Sequence, residues 1–107
     1  MISALEKLLG TPRDGALLRY SLGLEYQKAG NADKALEHLQ EAVQRDPLYS
    51  AAWKALGKLL SELERPAQAL AAYRSGIEAA SRKGDRQAEK EMTVFARRLG
   101  KKLGDAP

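Results

Sequence analysis

Two stretches decide the fold: ALLRYSLGLEYQKAGNADKALEHLQEAVQRDPLY at residues 16–49 and SAAWKALGKLLSELERPAQALAAYRSGIEAASRK at residues 50–83. Set one above the other at an offset of 34, they place Leu22 on Leu56, Gly23 on Gly57, Ala35 on Ala69 and Leu36 on Leu70. Leu39 falls on Tyr73 and Val43 on Ile77, so apolar bulk is kept where identity is not. Within each stretch the apolar residues recur every three to four positions, as in Leu18, Leu22 and Tyr26 or Trp53, Leu56 and Leu60. No segment alternates with period two. A helix-periodic stretch that repeats at this length reads as two copies of one helix–turn–helix unit.

The punctuation outside these patterns fixes the element ends. Ser3 and Glu6 have capping-box spacing and open a short N-terminal helix over residues 3–9, which Gly10-Thr11-Pro12 breaks. Asp14 is placed to cap the next helix and Gly30 to end it. Asn31 caps a third helix, stopped by Asp46-Pro47; a fourth starts near Ser50; Pro66 opens a fifth in its first turn. Gly84 and Asp85 then separate a last helix over residues 85–103, with its apolar face at Ala88, Met92, Phe95, Leu99 and Leu103. The tail from Gly104 to Pro107 is expected to fray. The chain is thus one domain of residues 1–107, all-α. Its cap helices, 3–9 and 85–103, flank repeat 1 at 16–49 and repeat 2 at 50–83.

These spaced positions resemble the tetratricopeptide repeat, a 34-residue unit with the pattern W-x2-L-G-x2-Y, then A-x3-F, then P. Repeat 1 reads Leu22-Gly23-x2-Tyr26, Ala35-x3-Leu39 and Pro47; repeat 2 reads Trp53-x2-Leu56-Gly57-x2-Leu60 and Ala69-x3-Tyr73. Arg19 stands where the family has Trp, Leu60 where it has Tyr, Gly76 where a small Ala is usual, and Ser81 in place of the closing Pro. In a helix interior Gly76 costs about 1 kcal/mol relative to Ala. Residues 84–103 resemble a capping helix more than a third unit, with Gln87, Lys90 and Glu91 at the Trp, Leu and Gly positions. The resemblance implies a tetratricopeptide-type α-solenoid of antiparallel helix hairpins.

It also implies a concave groove lined by the first helix of each unit. The positions that face it by resemblance are Leu17, Tyr20, Leu24 and Gln27 in repeat 1, and Ala51, Lys54, Lys58 and Ser61 in repeat 2. That surface is half apolar and half basic, which suits an acidic and apolar peptide. Some family members clamp a C-terminal carboxylate with Lys and Asn; here Tyr20, Leu24 and Ala55 occupy those places, so that mode is not expected. A second reading has Leu17 and Leu24 packing against the N-terminal helix, whose Ile2, Leu5 and Leu8 must be buried somewhere. Lys54 and Lys58 then simply face solvent.

Charge and composition narrow the function classes. The net charge is +4, and between Arg82 and Lys102 eight basic residues meet three acidic ones. Arg97, Arg98, Lys101 and Lys102 near the end of the last helix complement its dipole, and as a basic patch they offer a site for an acidic partner. There is no cysteine, which excludes disulfides and thiolate chemistry. No apolar run is long enough to cross a bilayer. The N-terminus carries no secretory leader, so a cytoplasmic location is expected. The lone histidine, His38, is expected on the outer face of its helix beside Glu37 and Glu41, without the nucleophile or metal partner that catalysis requires.

No cofactor or metal is expected, and no enzymatic activity. The function read from the sequence is a protein–protein interaction module, an adaptor or assembly factor. Self-association through the same surface is the alternative, which leaves a homodimer open. Nucleic-acid binding through the basic last helix ranks third, because the helix lacks stacking aromatics.

Overall fold

The computed structural model describes residues 1–104, so the expectation of a frayed tail lies outside it for Asp105, Ala106 and Pro107. Those described residues form six helices and no strand: α1 Ile2–Glu6, α2 Ala16–Lys28, α3 Ala32–Arg45, α4 Ser50–Glu62, α5 Pro66–Lys83 and α6 Arg86–Lys102. They fall into two compact units, Met1–Pro47 and a second from Leu48 onward.

In the first unit α1 and α3 both pack on α2. Leu18, Leu22, Ala35, Leu39, Ala42 and Val43 are buried and form its apolar centre. The N-terminal helix is shorter than residues 3–9: it stops at Glu6, and residues 7–10 continue as turns. Its N-cap is Met1, with no side-chain cap, so Ser3 and Glu6 form no capping box. Glu6 instead accepts a hydrogen bond from the Tyr26 hydroxyl, tying α1 to α2.

In the second unit α5 packs against both α4 and α6. Ala52, Leu56, Leu59, Leu60, Ala69, Leu70, Tyr73, Ala79, Ala80, Met92 and Leu99 are buried. The buried Ser50 hydroxyl at the start of α4 donates to Asp85, the N-cap of α6, at 3.3 Å. Asp85 in turn accepts from the Ala88 N–H at 3.1 Å, as the sequence predicts, and Asn31 accepts from the Lys34 N–H in the same way.

The close approaches explain the small residues. A Cβ on Gly57 would stand 2.7 Å from the Tyr73 ring, and one on Gly23 would stand 2.6 Å from Leu39, the residue equivalent to Tyr73. Gly76 carries more than a helix penalty: a Cβ there would meet Met92 Sδ and, at 2.7 Å, Trp53 Cβ. The glycine lets α4 and α6 close on α5, which offsets its lower helix propensity.

Three helices end alike. The N–H of Asn31, Arg65 and Asp85 reaches back to the carbonyl of Tyr26, Leu60 and Ala80, each at 2.9 Å, with the preceding residue in the left-handed region. That residue is Gly30 (φ 79°) and Gly84 (φ 74°), but in the second repeat it is Glu64 (φ 57°). The turn geometry of the repeat is kept even where its favoured residue is not.

Candidate functional site

A trough of about 480 Å³ runs between α4 and α6, lined by Lys54, Lys58, Ser61, Glu62, Tyr73, Glu91 and Phe95. It continues past Ser61, Tyr73 and Phe95 to Arg98, Leu99 and Lys102. The Tyr73 and Phe95 rings pack with centroids 5.4 Å apart and planes tilted by 35°. Tyr73 is buried, which raises the pKa of its phenol, while Phe95 is 36% exposed and offers the trough an apolar floor. Helical spacing sets this up. Lys54, Lys58 and Ser61 follow one another along one stripe of α4, and Glu91, Phe95, Arg98 and Lys102 do so along α6.

The charges around this floor are unequal. Lys54 Nζ lies 2.9 Å from Glu91 Oε1, and the bond from Lys54, with a second from Gln87, holds the Glu91 carboxyl below the usual carboxylate range. The two predicted lysines therefore differ: Lys54 is tied to α6, while Lys58 is exposed on the rim. Arg98 and Lys102 add two further cations at the far end, so four cations face the carboxylates of Glu62 and Glu91.

The basic residues at the end of α6 line two different parts of the surface. Arg98 and Lys102 line the trough, whereas Arg97 lies on another face with Arg86, Glu89, Lys90, Thr93 and Val94. Lys101, four residues after Arg97, follows that second stripe. Neighbouring residues on a helix point about 100° apart, while Arg98 and Lys101, three residues apart, are surface neighbours, so the two stripes adjoin.

In the first unit Leu17 is 68% exposed, and Tyr20, Leu24 and Gln27 are half-buried along α2. Ala51, at the start of the α4 stripe, is half-buried as well.

His38 is not on an outer face. It is 4% exposed, its ring stacks on Tyr26 with centroids 5.6 Å apart, and its Nδ1 lies 3.5 Å from Arg19 Nη1. Burial and the adjacent guanidinium lower its pKa from 6.5. The offset of 34 carries the clue, since His38 aligns with Ala72, which is also buried.

Arg19, at the family's Trp position, reaches Asp14 through Nε at 2.9 Å and Nη2 at 3.1 Å. Asp14 is thus no helix cap, and Gly15 takes that place. Its carboxylate accepts from Arg19 and from the Gly10 N–H, which holds it well below the usual carboxylate range. Arg45 Nη1 donates to the Asp14 carbonyl at 2.8 Å, so this one residue fastens the 10–14 loop to α2 and α3. The buried imidazole thus lies beside the Arg19–Asp14 ion pair.

No group of three or more His, Asp or Glu among the described residues is arranged to hold a metal ion, and no helix is long and apolar enough to cross a membrane.

The family model "Tetratricopeptide repeat" matches residues 20–84. The TPR repeat-containing protein PA0015 of Pseudomonas aeruginosa is 52% identical over 99 residues, which span 92% of this chain and 94% of the relative. The solution structure of protein BPP2914 from Bordetella parapertussis is similar at 43% identity and a TM-score of 0.78, with 95% of this chain and 89% of that one covered. A tetratricopeptide repeat domain protein from Salinibacter ruber matches at 32% identity and a TM-score of 0.76, covering 80% of this chain and 87% of its own. The 34-residue offset, the glycine-to-bulk contacts in both units and these matches agree: the chain belongs to the tetratricopeptide repeat family, whose domains generally mediate protein–protein contacts and not catalysis.

Proposed function

We propose that the protein is a non-catalytic adaptor or assembly factor that holds an acidic, partly apolar peptide in the trough between α4 and α6. One observation carries this reading: the exposed edge of Phe95 on Tyr73 lies among Lys58, Arg98 and Lys102. An aromatic floor supplies contact area, and rim cations select the sign of the partner. Lys54 contributes through its pair with Glu91, which an incoming carboxylate can replace. Within the first unit, the α2 stripe of Leu17, Tyr20, Leu24 and Gln27 offers an apolar contact of its own, with Tyr20 as its aromatic.

The test is affinity capture from a soluble extract, comparing the wild type with a Lys58→Glu, Arg98→Glu, Lys102→Glu variant of matched helicity. A partner held by the wild type, released by added salt and lost by the variant supports the trough. A partner held equally by both overturns it.

Self-association is the second reading, favoured by the 68% exposure of Leu17. Light scattering over a concentration series, with Leu17→Glu as the control, separates it from the first. A dimer that the substitution dissolves supports self-association.

A further inference from the structure

We infer that the outer face of α6 is a second docking surface, separate from the trough, that takes an acidic amphipathic helix. Arg86, Glu89, Lys90, Thr93, Val94 and Arg97 lie together on this face. Their spacing of three and four residues makes a straight stripe of three turns, about 16 Å long at 1.5 Å per residue. That is the footprint of one short helix laid along another, ridges into grooves.

The chemistry of the stripe defines its occupant. At its centre Val94 is 42% exposed, with the half-buried Thr93 beside it. Val94, with the Thr93 methyl beside it, gives the middle of this charged face an apolar spot. Thr93 donates its hydroxyl proton to the Glu89 carbonyl at 2.7 Å, which satisfies the polar atom within the helix itself and leaves its methyl to share the contact. Arg86 and Lys90 lie on one side of this centre and Arg97 on the other. None of these three has an ion-pair partner among the described residues, in contrast to Lys54 on the trough side. Glu89 is the one carboxylate on the face. A partner that fits has an apolar residue at its midpoint and carboxylates one turn to either side.

A second copy of α6 does not fit. Packed antiparallel about the Thr93–Val94 centre, two copies set Lys90 of each against Arg97 of the other. Packed parallel, they set each cation against itself. Like charges oppose both arrangements. Single-stranded nucleic acid is also a poorer match, because the stripe has no aromatic on which a base could stack.

The probe is a fluorescein-labelled helical peptide of Glu, Ala and Leu, with leucines on one stripe and glutamates flanking them, titrated by anisotropy at physiological salt. Three further ligands are run beside it: the same composition scrambled, the same stripe flanked by lysines, and a short DNA duplex. Protein whose trough is neutralised by Lys58→Ala, Arg98→Ala and Lys102→Ala still binds the glutamate-flanked helix, and the same protein carrying Lys90→Glu and Arg97→Glu binds it at least about tenfold more weakly. That variant gains affinity for the lysine-flanked helix, a reversal that simple misfolding would not give. Because the trough is neutral in both proteins, the loss reports the outer face of α6 alone. Equal binding of the scrambled peptide, no binding by the trough-neutralised protein, or tighter binding of the duplex through Lys90 and Arg97 each overturns the assignment.

Discussion

The ring of Tyr73 occupies the space that a side chain on Gly57 would need, with ring carbons 2.7 and 2.8 Å from an ideal Cβ. The ring is rigid and 3% exposed, so it can yield only by turning against Phe95 toward the trough, which breaks the packing of the two rings. Gly57→Ala gains up to about 1 kcal/mol of helix propensity but overpacks the contact at a cost of roughly 1–3 kcal/mol. The expected outcome is net destabilisation, read as a lower urea midpoint with an unchanged slope. A raised midpoint would show that α4 and α5 can part without loss.

Glu64 sits at φ 57°, where the equivalent residue of the first repeat is Gly30. The left-handed region costs an L-residue about 1–2 kcal/mol, part of which glycine returns as chain entropy in the unfolded state. Glu64→Gly is therefore expected to stabilise the protein by up to about 1 kcal/mol, and Glu64→Val to destabilise it, because a β-branched residue tolerates that φ poorly. Thermal unfolding of the two variants beside the wild type decides it.

His38 is buried in its neutral form, with its pKa lowered by burial and by Arg19. The unfolded chain takes up a proton near pH 6.5 while the folded one resists, so the stabilisation is complete above that pH and is lost as pH falls through the folded value. Asp14 acts in a lower window: its depressed pKa stabilises the fold above about 3.8 and that share is lost on further acidification. The ring protons of His38 should titrate with a midpoint below 6.5 in NMR, and unfolding midpoints should decline from that pH downward. A midpoint above 6.5 would contradict the burial of this ring.

Glu91 holds Lys54 at 2.9 Å across the trough. Glu91→Gln removes the negative charge while keeping the shape, and it frees Lys54 for an incoming carboxylate. For an acidic ligand of the trough, the variant should bind several-fold more tightly at low salt, with the gain shrinking as salt rises. Calorimetric titration at two ionic strengths reads both effects, and weaker binding would assign Glu91 to ligand contact.

The sequence makes the helices legible because periodicity, caps and glycine stops are local, and each can be read without knowing what lies opposite. Asn31 and Asp85 cap as their context dictates, and the offset of 34 aligns the two glycine-to-bulk contacts. Side-chain pairing across helices is less legible. Asp14 has the chemistry of a cap, but Arg19 lies one turn into α2 and competes for the same carboxylate. His38 looks polar in a charged stretch, and only its alignment with Ala72 hints at an interior position. That Arg97 and Arg98 face different stripes of α6 could have been read from the roughly 100° between them. The Lys54–Glu91 bridge could not, since it depends on how α4 and α6 sit against α5.

The tight contacts Gly23–Leu39, Gly57–Tyr73 and Gly76–Met92 each join residues sixteen positions apart. Each closes as soon as one helix and the next have been made, at the small entropic cost of a short loop. Chains whose contacts are this near in sequence have low contact order and fold on a timescale on the order of microseconds to milliseconds. The same locality means that a nascent chain can bury Leu39 over Gly23 before Tyr73 has been synthesised.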